Sequence, residues 1–210
     1  MSEFATRGLT ALALMLIALM AAVVGDYYFA VLVAAVATAM FYEWTRMAKG
    51  WGWPWAIGGF AYALIPAISL LWIRYRADNG LALLLWVFIV TWSVDIGAYL
   101  AGRRFGKRKL APAISPGKTW EGLYGGIAAA TLLGAAWVFA TGLGLILLAA
   151  APVFAAGAQA GDLFESWMKR RAGVKDSGDW LPGHGGVLDR LDGLVVVATL
   201  TALLQAAGLL

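Results

Sequence analysis

The chain has no cysteine and a single histidine, His184. The first absence excludes disulfides, thiolate metal centres and cysteine nucleophiles. With one imidazole, no His-rich metal site can form and no Ser-His-Asp arrangement is evident. Charge is scarce as well. Asp, Glu, Lys and Arg make up 13% of the 210 residues, against about 25% in soluble domains. A chain with so little charge and a mean hydropathy of +0.78 reads as an integral membrane protein, not a soluble fold. What fills it is 62% hydrophobic residues, with 26 Gly and 11 Trp. These suit close helix packing and anchoring at the membrane interface.

A spanning helix needs about 20 mostly apolar residues. Arg7 and Asp26 bracket a first charge-free run, and Asp26 and Glu43 a shorter second. Positions 50–73 form a third, rimmed by Trp51, Trp53, Trp55 and Trp72. A fourth runs from Leu81 to Ala101 and carries Asp95 inside it. Positions 122–161 are uncharged over 40 residues, about 60 Å of helix at about 1.5 Å per residue, or twice the hydrocarbon thickness. That run must be two helices, with Thr141-Gly142-Leu143-Gly144 as the turn. A last span runs from Leu191 to the C-terminus. No small-residue cleavage site ends the first run, so it reads as a retained helix. The expected fold class is all-α, a polytopic helical bundle of about seven transmembrane helices with a cytoplasmic N-terminus. It divides into N-terminal membrane helices over 1–80 and a catalytic region over 81–210.

The charge distribution supports that topology. With the N-terminus inside, the cytoplasmic segments hold every one of the 16 basic residues except Arg74 and Arg76, as the positive-inside rule requires. Two cytoplasmic loops, 102–121 and 165–190, carry most of them. Each follows an acidic residue late in an apolar helix, Asp95 and Asp162. Arg103-Arg104-Phe105-Gly106 and Arg170-Arg171-Ala172-Gly173 stand at equal distances past those acids, a spacing that fits either an old duplication or ordinary basic flanks.

The chemistry concentrates in Ser166–Asp192. This stretch holds Lys169, Arg170, Arg171, Lys175 and Arg190 together with Asp176, Asp179, Asp189, Asp192 and His184. Charge of this density in an apolar chain points to a charged substrate. Asp162, Glu165, Ser166 and Lys169 share one helical face, and Asp189 and Asp192 are three apart. These acids could be structural ion pairs. Oxygen donors without Cys and with one His also suit Mg²⁺ held together with a phosphate substrate. Asp162 and Asp189 are the candidate metal ligands, with a second cation conceivable. Pro182-Gly183-His184-Gly185-Gly186 is a tight turn whose backbone amides could approach an anion. Ser115-Pro116-Gly117-Lys118-Thr119 is not a P-loop, because position 112 is Pro and no βαβ context exists. Lys118 can still serve as a phosphate point charge, or the segment can be a helix-entry turn.

Read in order, Ser166-x-Met168-Lys169-Arg170, Lys175-Asp176-x-Gly178, Leu181-Pro182-x-His184-Gly185-Gly186-Val187 and Asp189-Arg190-Leu191-Asp192 resemble the signature of phosphatidate cytidylyltransferases. Asp95-x-x-Ala98-Tyr99, Ser115–Gly122 and Gly161–Ser166 resemble further blocks of that family. The similarity spans about half the chain. Three spans precede Leu81, fewer than in many members. The resemblance implies transfer of the cytidylyl group of CTP to phosphatidic acid, giving CDP-diacylglycerol and pyrophosphate. It implies Mg²⁺ at Asp162 and Asp189, and a homodimer.

On this reading Lys169, Arg170, Lys175, Asp176 and His184 form the catalytic set. Ser115, Lys118, Ser166, Gly183, Gly185, Gly186 and Arg190 bind substrate. The partners are CTP, phosphatidic acid and membrane lipids, with no nucleic acid. The expected location is the bacterial inner membrane, with the site facing the cytoplasm. The alternatives are a CTP-dependent lipid or polyprenol kinase, a cytidylyltransferase for another lipid phosphate, and a transporter. The last would place its charges near the bilayer midplane, not at one face.

Overall fold

The computed structural model describes residues 3–76, 78–180 and 185–210. Among these, seven α-helices run in chain order: α1 (Glu3–Val24), α2 (Asp26–Met47), α3 (Trp53–Arg76), α4 (Gly80–Phe105), α5 (Trp120–Thr141), α6 (Ile146–Arg171) and α7 (Leu188–Ala206). Five of them, α2 to α6, are long and apolar enough to cross a membrane. Among the described residues of α1, Leu12–Val24 forms an apolar stretch. The N-terminal turns of α7 carry Asp189, Arg190 and Asp192.

α4 is the central helix. Leu84, Trp86, Val87, Val90 and Val94 are fully buried, against Ala130 and Val138 of α5, Ala151 and Ala155 of α6, and Val197 and Ala198 of α7. α4 and α5 pack backbone to backbone. A Cβ built at Gly97 would lie 2.6 Å from the Ala129 Cβ and 2.7 Å from the Gly125 carbonyl oxygen. Small residues make such an approach feasible where lipid supplies no hydrophobic drive. The uncharged run does break where expected: α5 ends at Thr141, and Gly142 adopts φ 71° as the left-handed cap.

The connection between α4 and α5 departs from the all-α expectation. Residues 102–121 are not a plain loop. α4 continues to Phe105, and β1 (Lys109–Ala111) then pairs antiparallel with β2 (Ser115–Thr119), joining Lys109 to Thr119 and Ala111 to Ser115. Strands of three and five residues are too short to show alternation, and Pro116 and Gly117 argue against a strand on local grounds. Tertiary bonds decide the matter. The Glu121 carboxylate accepts the amides of Lys107 (3.1 Å) and Arg108 (3.3 Å), and Trp120 N–H donates to the Arg108 carbonyl (3.0 Å). Thr119 Oγ1 then caps α5 by accepting Gly122 N–H (3.1 Å).

The α2–α3 connection is pinned by rings. Trp44 Nε1 donates to the Trp55 carbonyl (2.7 Å), and Trp44 packs on Trp55, Tyr62 and Phe164. Arg171, the last residue of α6, lays its guanidinium over Trp51 (4.3 Å), Trp55 (4.7 Å) and Trp167 (5.5 Å). The two adjacent arginines therefore diverge. Arg171 anchors α6 to the aromatic belt, and Arg170 turns the other way, toward the hairpin. Replacing Arg171 by Ala should cost about 1–2 kcal/mol, several stacked cation–π contacts. The expected readout is a lower melting temperature in detergent with unchanged turnover at low temperature.

Candidate functional site

Three pieces of backbone converge at the ends of α4, α6 and α7: the β1–β2 hairpin, the C-terminal turns of α6, and the segment from Val174 into α7. α6 and α7 meet closely because Gly161 has no side chain; a Cβ there would stand 2.6 Å from the Asp192 carbonyl oxygen. The same approach sets Asp192 within electrostatic reach of Asp162, Glu165 and Asp95.

Asp162 pairs with Lys118, which the hairpin brings across from β2. Ser166 Oγ lies 3.4 Å from Asp162 Oδ1. One turn on, Lys169 Nζ reaches Asp189 Oδ1 at 2.5 Å and Glu165 Oε1 at 3.5 Å. The other oxygen of Asp189 is crowded by donors: Gly186 N–H (2.8 Å), Ser177 N–H (2.9 Å) and Ser177 Oγ (3.0 Å). Asp189 is thus the hub of the α7 entrance. Asp162 is the hub of the hairpin side. The two expected metal ligands stand on different cations, with no direct bond between them among the described residues.

Arg170 donates to the Ile114 carbonyl (3.2 Å) and the Val174 carbonyl (3.3 Å), which ties the hairpin to the end of α6. Lys175, Asp176 and Arg190 are exposed. Gly185 has φ 82°, and a Cβ there would meet Asp176 Cβ at 3.2 Å, so Gly185 lies against that acid. Ser115 opens β2 at the edge of the hairpin. Gly183 and His184 fall outside the described residues.

Two spaces open onto this arrangement. One is a cavity of about 420 Å³, lined by Asp95, Tyr99, Arg103, Lys118, Gln159 and Asp162 among others. The other is a mainly apolar groove of about 370 Å³ between α1, α2, α4 and α7, lined by residues including Leu32, Val36, Phe88 and Leu194 and ending at Asp95, Asp189 and Arg190. Asp95 lines both. One space is suited to a hydrated polyanion and the other to hydrocarbon with a charged head.

The donor set fits a hard divalent cation. Among the described residues the carboxylates here offer oxygen ligands, and Glu165, itself 3% exposed, has no hydrogen bond on either oxygen, Lys169 standing 3.5 Å from Oε1 as its ion-pair partner. Among the described residues no three His, Cys, Asp or Glu side chains group tightly enough to cage an ion alone. A cation bound by one or two carboxylates and completed by substrate phosphates is the usual Mg²⁺ arrangement.

Three contributors were not singled out from sequence: Glu43, Ser177 and Gln159. Glu43 had served only to mark the end of a span. A carboxylate next to Trp44 at the end of an apolar helix is a signal, but its partners are 134 to 145 residues away. For Gln159 the signal was a lone amide in an apolar helix, and the structure places it in the cavity lining.

Residues 50–207 match the family model described as the cytidylyltransferase family. The chain belongs to the cytidylyltransferase family. It is 38% identical to the phosphatidate cytidylyltransferase of Brucella suis over 98% of this chain and 94% of that protein. It is 41% identical to the Pseudomonas aeruginosa protein of that name, over 82% of this chain and 66% of the relative. With the Haemophilus influenzae protein of the same name it shares 50% identity, over 64% and 52% of the two chains. Every candidate site residue from Asp95 to Asp192 lies inside the matched region; Glu43 lies before it.

Proposed function

We propose that this chain transfers the cytidylyl group of CTP to phosphatidic acid, releasing pyrophosphate and CDP-diacylglycerol, at the cytoplasmic face of a bacterial inner membrane. Its family membership and relatives support the reaction. The observation that carries the reading of the site is the pair of spaces meeting at Asp95: a charged cavity beside Lys118 and Asp162, and an apolar groove ending at Asp189 and Arg190. CTP suits the first and a diacyl lipid phosphate the second.

In this mechanism a phosphate oxygen of phosphatidic acid attacks the α-phosphorus of CTP. The bond from that phosphorus to the β-phosphate oxygen breaks, and pyrophosphate leaves with its charge. Both reactants are anions, so the protein's work is positioning and charge neutralisation. Lys118, Lys169, Lys175, Arg170 and Arg190 supply positive charge. Ser115, Ser166 and the Gly183–Gly186 turn supply donors, and His184 positions phosphate. Asp176, beside Gly185, steadies that turn. The nucleophile is already anionic, so no strong base is needed. Asp162 and Asp189 would hold Mg²⁺, which would supply neutralisation of the triphosphate charge.

The topology belongs to the same proposal: seven spans including α1 and α7, N-terminus inside, with 165–190 cytoplasmic. The distribution of basic residues supports it. The family resemblance carries the homodimer, which crosslinking in native membranes tests. Purified protein given Mg²⁺, radiolabelled CTP and phosphatidic acid should form a labelled lipid and pyrophosphate in equal amounts. CDP with a phosphorylated lipid alcohol would instead establish a CTP-dependent kinase.

A further inference from the structure

We propose that Glu43 of α2 is a positioning residue for this site, setting Asp189 and Gly186 from outside the region matched to the family. The proposal rests on the reaction given above. Glu43 is fully buried, and no cation forms an ion pair with it among the described residues. An isolated buried carboxylate is costly unless its oxygens are hydrogen-bonded. Here they are. Oε1 accepts Val187 N–H (2.9 Å), and Oε2 accepts Leu188 N–H (2.9 Å) and Ser177 Oγ–H (2.9 Å). The two amides begin α7, where donors lack intrahelical partners and the helix dipole favours negative charge. Glu43 therefore caps α7 with a side chain from another helix, while α7's own N-cap, Val187, has no side-chain cap bond.

The cap is joined to the site through one hydroxyl. Ser177 Oγ lies between Glu43 Oε2 (2.9 Å) and Asp189 Oδ2 (3.0 Å), and Ser177 N–H also donates to Asp189. The hydroxyl has one proton to give. With that proton donated to Glu43 Oε2, the Ser177 N–H is the donor to Asp189 Oδ2, so residue 177 bonds both carboxylates from one backbone segment. The space is shaped for this contact. A Cβ at Gly186 would sit 2.5 Å from Glu43 Oε2, so glycine there lets α2 reach the turn. Glu43 holds the start of α7, residues 177–178 and Gly186 in one register. Asp189 and Gly186 inherit their positions from it.

The test uses Glu43→Gln, Ser177→Ala and the double variant of the full chain. Turnover with CTP and phosphatidic acid is normalised to folded protein, and amide hydrogen exchange is followed over 185–190. Gln keeps the volume but turns an NH₂ toward backbone donors. Glu43→Gln should lower kcat at least tenfold, with the KM for CTP changed less than threefold. Ser177→Ala should lower kcat at least threefold. The double variant should be no worse than Glu43→Gln, because both cut one chain of contacts. Exchange at Gly186–Leu188 should quicken in Glu43→Gln, a readout that needs no reaction and so separates this proposal from the assigned function. Unchanged kcat in Glu43→Gln, multiplying losses in the double variant, or unchanged exchange would each overturn it. If Glu43→Gln does not fold, Ser177→Ala decides, since it leaves both bonds from Glu43 to α7 intact; wild-type kcat there overturns the proposal.

Discussion

Asp189→Asn is expected to lower kcat about 10²–10⁴-fold while the protein keeps its helical circular dichroism and elutes as a single species. The reason is donor geometry. Lys169 Nζ, Ser177 N–H, Ser177 Oγ and Gly186 N–H all face this carboxylate. An asparagine has one oxygen and one NH₂, so whichever way it turns, its NH₂ meets donors. Lys169 or the turn loses its acceptor. Breaking a buried charged pair costs about 3–5 kcal/mol, and at about 1.4 kcal/mol per decade that is two to four decades if it falls on the transition state. The loss should fall on kcat, because the displaced groups are those that meet charge developing on the phosphates. Single-turnover kinetics with CTP and phosphatidic acid measures it. Turnover within threefold of wild type would remove Asp189 from the site.

The second large effect is expected for Lys118→Met. Methionine keeps most of the stem and removes the charge. Lys118 is the cation paired with Asp162, in a neighbourhood that also holds Asp95 and Asp192. Without it, these acids face the incoming triphosphate with less compensation. Charge neutralisation is the main catalytic device available for joining two anions, so kcat/KM for CTP should fall about 10²-fold or more. Arginine should restore only part of it, since its planar fork is not a point charge on a flexible stem. Initial rates across CTP concentrations separate the outcomes. Equal kcat/KM in Lys118→Met and wild type would reduce Lys118 to a hairpin residue.

Helix boundaries and the chemical stretch were legible in the sequence, for simple reasons. Charge-free runs at membrane length mark helices, because lipid offers the backbone no other partner. The need for a break followed from the length of the uncharged run, and its place at Gly142 from the glycines of Thr141–Gly144. The Lys169–Asp189 pair joins residues from the expected catalytic set and the expected metal set, as the structure finds them. The hairpin was not legible. Its stability comes from Glu121 and from Arg170 reaching Ile114, 56 residues away, not from its own pattern. The divergent fates of Arg170 and Arg171 were equally hidden. Adjacent residues on a helix point about 100° apart, and only the packed neighbours decide which direction meets tryptophan and which meets backbone.

The sequence by itself determined that this is a helical membrane chain and that its charged residues are gathered in the segments after Asp95 and Asp162. It also determined the family, through a run of polar residues too ordered to serve packing alone. These properties are local in the chain: hydropathy over twenty residues, charge spacing over a few turns, a motif within one loop. Tertiary structure alone decided which acid faces which cation, that Lys118 crosses to Asp162, and that Glu43 closes the far side of the α7 entrance. Those pairings are set by which helices become neighbours. A buried carboxylate is stabilised by any donor the fold supplies, and nothing near Glu43 in the chain shows that its donors lie at Ser177, Val187 and Leu188.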